Sequence, residues 1–102
     1  MKTKYLKMVH GIQDAADAQR GWSVYMVRCS DESLYTGIAK DVDARLAKHN
    51  AGKGAAYTRA RRPVRLLYRE DGLTRREALV REASIKALPK PRKESIVSDA
   101  QH

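Results

Sequence analysis

Five side chains in this sequence are of types that do chemistry and are spaced so that a small fold can gather them: Tyr25, Tyr35, Arg45, His49 and Glu82. Arg45 and His49 are four residues apart, so on a helix they share a face. Tyr25 and Tyr35 flank the turn formers Ser30-Asp31-Glu32-Ser33, and a hairpin across that turn brings the two phenols onto neighbouring strands. Glu82 stands out by its position. At about 100° per residue, Ala78, Glu82 and Ile85 fall within about 60° of one another, which places a carboxylate in the core-facing stripe of a helix. Burying it there costs several kcal/mol unless something compensates. A divalent metal would do so, and so would a salt bridge to an arginine such as Arg45. A set of this kind can hold a hard cation, grip an anion and move a proton near neutral pH.

The elements that must position these groups are legible in outline. Trp22 to Cys29 is rich in Val, Tyr and Met with no Gly or Pro, which suits a strand buried on much of its surface. A second short strand, Leu34 to Gly37, completes the hairpin. Asp41 can N-cap a helix over residues 42 to 50 that stops at Gly52. The segment from Ala51 to Pro63 is a basic loop with a short helix over residues 55 to 60. Val64, Leu66 and Tyr68 then alternate with Arg65, Leu67 and Arg69, predicting a third strand closed by Asp71-Gly72. A strand–helix–strand connection runs that strand parallel to the second and seats it beside the first. Thr74-Arg75-Arg76-Glu77 is a capping box that opens a helix of about fifteen residues. Pro89 and Pro91 end it, and the tail from Arg92 to Val97 adds one more helical turn. The expected fold class is α/β, a three-stranded mixed sheet of order 2-1-3 flanked by helices. Residues 1–20 read as a weakly ordered extension, 21–97 as the domain and 98–102 as a tail.

At 102 residues the chain is a single domain, and without phenylalanine its core must be built from Leu, Val, Ile, Ala and Tyr. The net charge of +9 and pI near 10.0 imply an anionic partner, nucleic acid first. Residues 38 to 65 hold eight basic residues against Asp41 and Asp43, so two-thirds of that charge lies in about a quarter of the chain. Within it, Lys53, Arg59, Arg61 and Arg62 with Tyr57 form a candidate surface for phosphates and a stacked base. A solvated loop is the alternative reading. No apolar run is long enough to span a membrane, and the protein is expected in the cytoplasm. Cys29 is the only cysteine, which excludes an internal disulfide and a cysteine-rich zinc site.

The constellation resembles the GIY-YIG nuclease superfamily, most closely its small free-standing bacterial members, over residues 21 to 96. Ser23-Val24-Tyr25 stands where that family has Gly-Ile-Tyr, and Tyr35-Thr36-Gly37 where it has Tyr-Ile-Gly. The family's arginine, eight residues past the glycine, falls on Arg45, and its His or Tyr four later on His49. Its metal-binding glutamate falls on Glu82. Ser23 and Thr36 depart from the pattern, and an asparagine that some members carry after the glutamate is missing, the last one here being Asn50. The resemblance implies an endonuclease dependent on Mg²⁺ or Mn²⁺ that hydrolyses phosphodiester bonds in DNA, in repair or recombination. With no room for a separate DNA-targeting domain, cutting is expected to be structure-specific or weakly specific. In the implied roles Glu82 holds the metal, Arg45 clamps the phosphate, and Tyr25, partnered by Tyr35, is the general base, with His49 as alternative base or proton relay. A free phenol has a pKa of about 10, so nearby positive charge must lower it for that task. The competing reading is a module of the same fold that binds nucleic acid without cutting it.

Overall fold

The computed structural model describes residues 19–101, so the weakly ordered extension expected over residues 1–20 lies almost wholly outside the described residues. Strand β1 (Trp22–Arg28) is the middle of a three-stranded sheet, with β2 (Leu34–Ala39) on one side and β3 (Arg65–Leu73) on the other. Its residues Ser23 to Val27 are all buried, as a run apolar on both faces requires. The order 2-1-3 is the expected one. Both neighbouring pairs are antiparallel, however, so the sheet is not mixed. β2 and β3 do run the same way, but β1 separates them and no parallel ladder forms.

Helix α1 (Val42–Asn50) follows β2 and is N-capped by Asp41, whose carboxylate accepts the Ala44 N–H at 3.0 Å. A single turn, α2 (Ala56–Arg59), leads through the basic loop to β3. The side chain of Asn50 pins that entry, donating to the Val64 carbonyl at 2.9 Å and accepting the Val64 N–H at 2.7 Å. Helix α3 (Arg75–Lys86) opens on the expected Thr74/Glu77 capping box.

Three boundaries differ from expectation. β3 does not close at Asp71-Gly72 but continues to Leu73, because Gly72 adopts φ +74° and absorbs a register shift opposite Trp22 and Val24. A second shift, between Met26 and Val27, breaks the alternation of β3, so Leu66 faces one core and Leu67 and Tyr68 the other. The tail after α3, shorter than expected at twelve residues, forms a full helix, α4 (Lys90–Ala100), rather than one turn. Pro89 is its cap and Pro91 lies in its first turn, where a missing N–H costs nothing. Arg28 ties α4 to β1 by a two-pronged ion pair with Glu94, at 2.5 and 2.8 Å.

The sheet therefore has a core on each face. Tyr25, Val27, Ala39 and Val64 pack with Val42 and Leu46 of α1 on one side. Val24 and Met26 pack with Ile85 of α3 and Val97 of α4 on the other. The alternation of β1 thus turns Tyr25 toward α1 and its two neighbours toward α3.

Candidate active site

The hairpin register sets Tyr25 opposite Gly37 and Val27 opposite Tyr35, so both phenols lie on the α1 face as diagonal neighbours. Gly37 leaves the room this needs: a Cβ there would stand 2.7 Å from the Tyr25 hydroxyl oxygen and 2.9 Å from Cζ. Tyr25, 1% exposed, reaches across to α1, where its hydroxyl lies 2.7 Å from His49 Nε2. His49 is fully buried, and its other ring nitrogen, Nδ1, lies 2.7 Å from Thr58 Oγ1 on α2.

The direction of these bonds follows from counting protons. The Thr58 hydroxyl donates its single proton to the Ala55 carbonyl, 3.0 Å away, so toward His49 it can only accept. His49 Nδ1 therefore carries the N–H. Burial, and after it the charge of Arg45, lowers the His49 pKa below the ordinary 6.5, so the ring is neutral and Nε2 is an acceptor. Tyr25 must then donate to it. The line runs Tyr25 O–H to His49 Nε2, then His49 Nδ1–H to Thr58, then Thr58 O–H to Ala55, every proton assigned.

These bonds weaken the standing-phenolate role expected for Tyr25. Burial is the largest influence on its phenol; Arg45 pulls the pKa down, while Tyr35 and, last in size, Glu82 push it up. The net result is about 12. Tyr25 is a neutral hydroxyl, and the group with basic character is the His49 nitrogen it touches. Tyr35 packs its ring edge-on to His49 with centroids 5.3 Å apart and stacks on Tyr57 at 6.0 Å.

Arg45, one turn before His49, brings its guanidinium close enough to depress both His49 and Tyr25. Its Nε is buried and has no hydrogen-bond partner among the described residues. The rest of the guanidinium is engaged by the Tyr25 hydroxyl, so the unmet group is this one donor, a costly one to leave inside a protein. Glu82 does not supply its acceptor. The Glu82 carboxylate lies 3.1 Å from Lys86 Nζ, one turn along α3, and its side chain is 19% exposed, on the flank of the buried Ala78–Ile85 stripe rather than in its middle. The salt bridge anticipated with an arginine is thus made with a lysine.

The basic loop divides into two kinds of cation. Arg61 is committed: it ion-pairs with Asp31 at 3.0 Å, donates to the Tyr57 carbonyl and covers a face of the Tyr57 ring at 3.9 Å. Arg62 donates to the Arg59 carbonyl and lies against Gly52. Lys53 and Arg59 are exposed and make no ion pair with another described residue.

Sequence reasoning missed Thr58 and Gly54 as parts of the centre. A Cβ at Gly54 would fall 2.3 Å from His49 Nδ1 and 3.0 Å from the His49 Cα. No local pattern signals either residue, since each acts on a side chain several positions away. Gly54→Ala is expected to destabilise the fold by about 1–3 kcal/mol, the usual cost of overpacking a filled interior. Urea unfolding checks this, and an unchanged midpoint would mean the loop yields freely.

The buried imidazole also fixes a pH response. Because the folded His49 pKa is depressed, its contribution to stability is fully present above the unfolded value near 6.5 and is lost as pH falls through the folded value. Unfolding midpoints measured at pH 7.5 and 5.5 should drop on acidification in the wild type, and drop less in His49→Gln.

Among the described residues no group of three or more His, Cys, Asp or Glu is placed to hold a metal. The donor set on offer is the single carboxylate of Glu82. One hard oxygen ligand, with waters and substrate oxygens to complete the shell, suits Mg²⁺ or Mn²⁺ and does not suit zinc.

Comparison with known proteins gives a consistent picture. Residues 21–95 match the GIY-YIG catalytic domain. A UPF0213 protein of Staphylococcus epidermidis is 54% identical over 76 residues, 74% of this chain and 93% of that protein. A UPF0213 protein of Staphylococcus aureus strain Mu50 has the same identity and coverage. Among solved structures, the UPF0213 protein BH0048 from Bacillus halodurans is 44% identical with a TM-score of 0.50, covering 76% of this chain and 82% of that one. The protein EF2693 from E. faecalis is 36% identical with a TM-score of 0.53, covering 78% and 84%.

Proposed function

The chain belongs to the GIY-YIG family of nuclease domains, and from that premise we infer that it is a divalent-metal-dependent endonuclease hydrolysing phosphodiester bonds in DNA. The observation that carries this reading is the buried, partnerless Arg45 Nε beside a hydrogen-bonded Tyr25–His49 pair: an anion hole next to a proton acceptor. Arg45 takes a phosphate oxygen and stabilises the charge that grows there in the transition state. Water attacking phosphorus gives its proton to the Tyr25 oxygen while Tyr25 passes its own to His49 Nε2, and the P–O ester bond opposite breaks, its alkoxide leaving with a proton from solvent. The phenol is therefore never a free phenolate, and its raised pKa is no obstacle. Thr58 holds the imidazole in the accepting tautomer throughout. Glu82, whose carboxylate now pairs with Lys86, would hold the metal. A bound divalent ion supplies Lewis-acid polarisation of the phosphate. Lys53 and Arg59 hold the flanking backbone, and Tyr57, Arg61 and Arg62 shape the loop that presents them. Mg²⁺ as the working ion, a cytoplasmic location and a role in DNA repair or recombination complete the reading. No helix among the described residues is long and apolar enough to cross a membrane.

The test is cleavage of supercoiled and branched DNA with Mg²⁺, with EDTA, and by Glu82→Ala. Activity should vanish in EDTA, return with added metal, and fall at least 100-fold in the variant, on the order of losing one electrostatic stabiliser. Equal cutting by Glu82→Ala and wild type would sink the assignment. One observation favours a second reading, binding without cutting: Tyr25 and His49 are closed off from solvent. Salt-sensitive DNA binding that survives in Glu82→Ala, with no turnover under any metal, would identify it.

A further inference from the structure

We propose that the cleft beside Arg45 is a subsite for one unpaired nucleobase next to the scissile phosphate, with Trp22 as its stacking platform. The proposal rests on the nuclease reading above and names the kind of DNA it acts on.

The cleft, of about 570 Å³, opens around the end of β2, where Trp22 and Ile38 meet Lys40, Ala44, Arg45 and Lys48. That is a volume suited to a small organic group. Its floor is apolar and its rim is cationic. Lys40, Arg45 and Lys48 line it and Arg75 stands over Trp22, against one carboxylate, Asp41, which is already spent as the cap of α1. The half-buried Trp22 ring is not closely covered. Lys40 Nζ stands 5.7 Å and the Arg75 guanidinium 5.8 Å from its centroid, near the outer limit for a cation over a ring. Tyr57, the aromatic expected to stack on a base, has Arg61 against it at 3.9 Å. The aromatic ring that lines the cleft beside Arg45, with only loosely held cations over it, is therefore that of Trp22.

An aromatic plate set among cations is how single strands are held: cations track the backbone while bases lie on the ring. A base stacked inside a duplex cannot enter such a cleft without being turned out of the helix. The substrate class is DNA with an unpaired nucleotide beside the cut, in a flap, a bulge or a single strand.

Trp22 is the only tryptophan, so its emission reports on the cleft directly. The full chain in EDTA is titrated with a 12-mer of oligothymidylate and with a 12-mer of abasic backbone. In the wild type the thymidylate oligomer should shift the Trp22 emission and bind roughly 5- to 150-fold more tightly than the abasic one. Anisotropy of end-labelled oligomers should show that preference gone in Trp22→Leu, with abasic binding retained as the sign of a folded protein. Equal binding of the two oligomers to wild type with unmoved emission overturns the subsite, as does a full preference in Trp22→Leu. Thymidine monophosphate binding as tightly as the oligomer overturns its assignment to a strand. Cleavage with Mg²⁺ is scored separately. Base preference without cleavage removes the nuclease reading alone, and cleavage without base preference removes the subsite alone.

Discussion

Tyr25→Phe is expected to lower the rate of phosphodiester cleavage by roughly 10²- to 10⁴-fold, the range a positioned proton-transfer group supplies. The ring of Tyr25 is enclosed by β1, Gly37 and α1, and phenylalanine fills the same space, so the loss is confined to one hydroxyl. What remains is a buried His49 Nε2 without its donor, costing about 1–3 kcal/mol. A domain of ordinary stability, about 5–15 kcal/mol, tolerates that and stays folded. Single-turnover cleavage beside urea unfolding separates the two effects. The relay makes a sharper demand. Because Tyr25 and His49 pass the same proton, Tyr25→Phe combined with His49→Gln should cut no more slowly than the worse single variant. Independent, multiplying losses would break the relay into two unrelated contributions.

Arg45→Met is expected to cost roughly 10²- to 10³-fold in cleavage, as for the loss of one transition-state donor, and nothing in stability. Most charged residues in contact with a core are paired, and removing one leaves its partner stranded. Here the stranded atom is Arg45 Nε itself. Taking it away removes an unmet desolvation cost, so the melting temperature should hold or rise while activity falls, as where stability has been given up for function. The same substitution removes the positive charge that helps depress His49, so its pKa should move back up, visible by titration of the imidazole proton signals. A variant destabilised by several kcal/mol would mean that Arg45 is held for the fold and not for a ligand.

Much of this was readable in the chain because the controlling interactions are local. The caps at Asp41 and Thr74 announce their helices within four residues, and the buried run of β1 with the turn at Ser30–Ser33 fixes the hairpin that aligns Tyr25 with Tyr35. Other features depend on partners far along the chain. The shift at Leu67 is imposed by β1, and no periodicity within β3 could reveal it. Pro91 reads as a stop because prolines usually are, yet in the first turn of α4 it breaks no bond. Lys53, Arg59, Arg61 and Arg62 look alike in a string of letters. Only the carbonyls, the ring and the carboxylate that Arg61 and Arg62 meet distinguish structural cations from free ones. Glu82 stands out in the sequence as a carboxylate in a core-facing stripe; the fold sets it on that stripe's flank, and its companion depended on which long side chain could reach it.

β1 is a party wall. Val24 and Met26 lean on one room of the house and Tyr25 on the other, one peptide bond apart. A disturbance among Ile85 and Val97 is therefore felt at the phenol without any intermediary, and neither room can be emptied while the other stays furnished. Heat should extinguish cutting and melt both layers at one threshold, with no warm, folded, idle form in between.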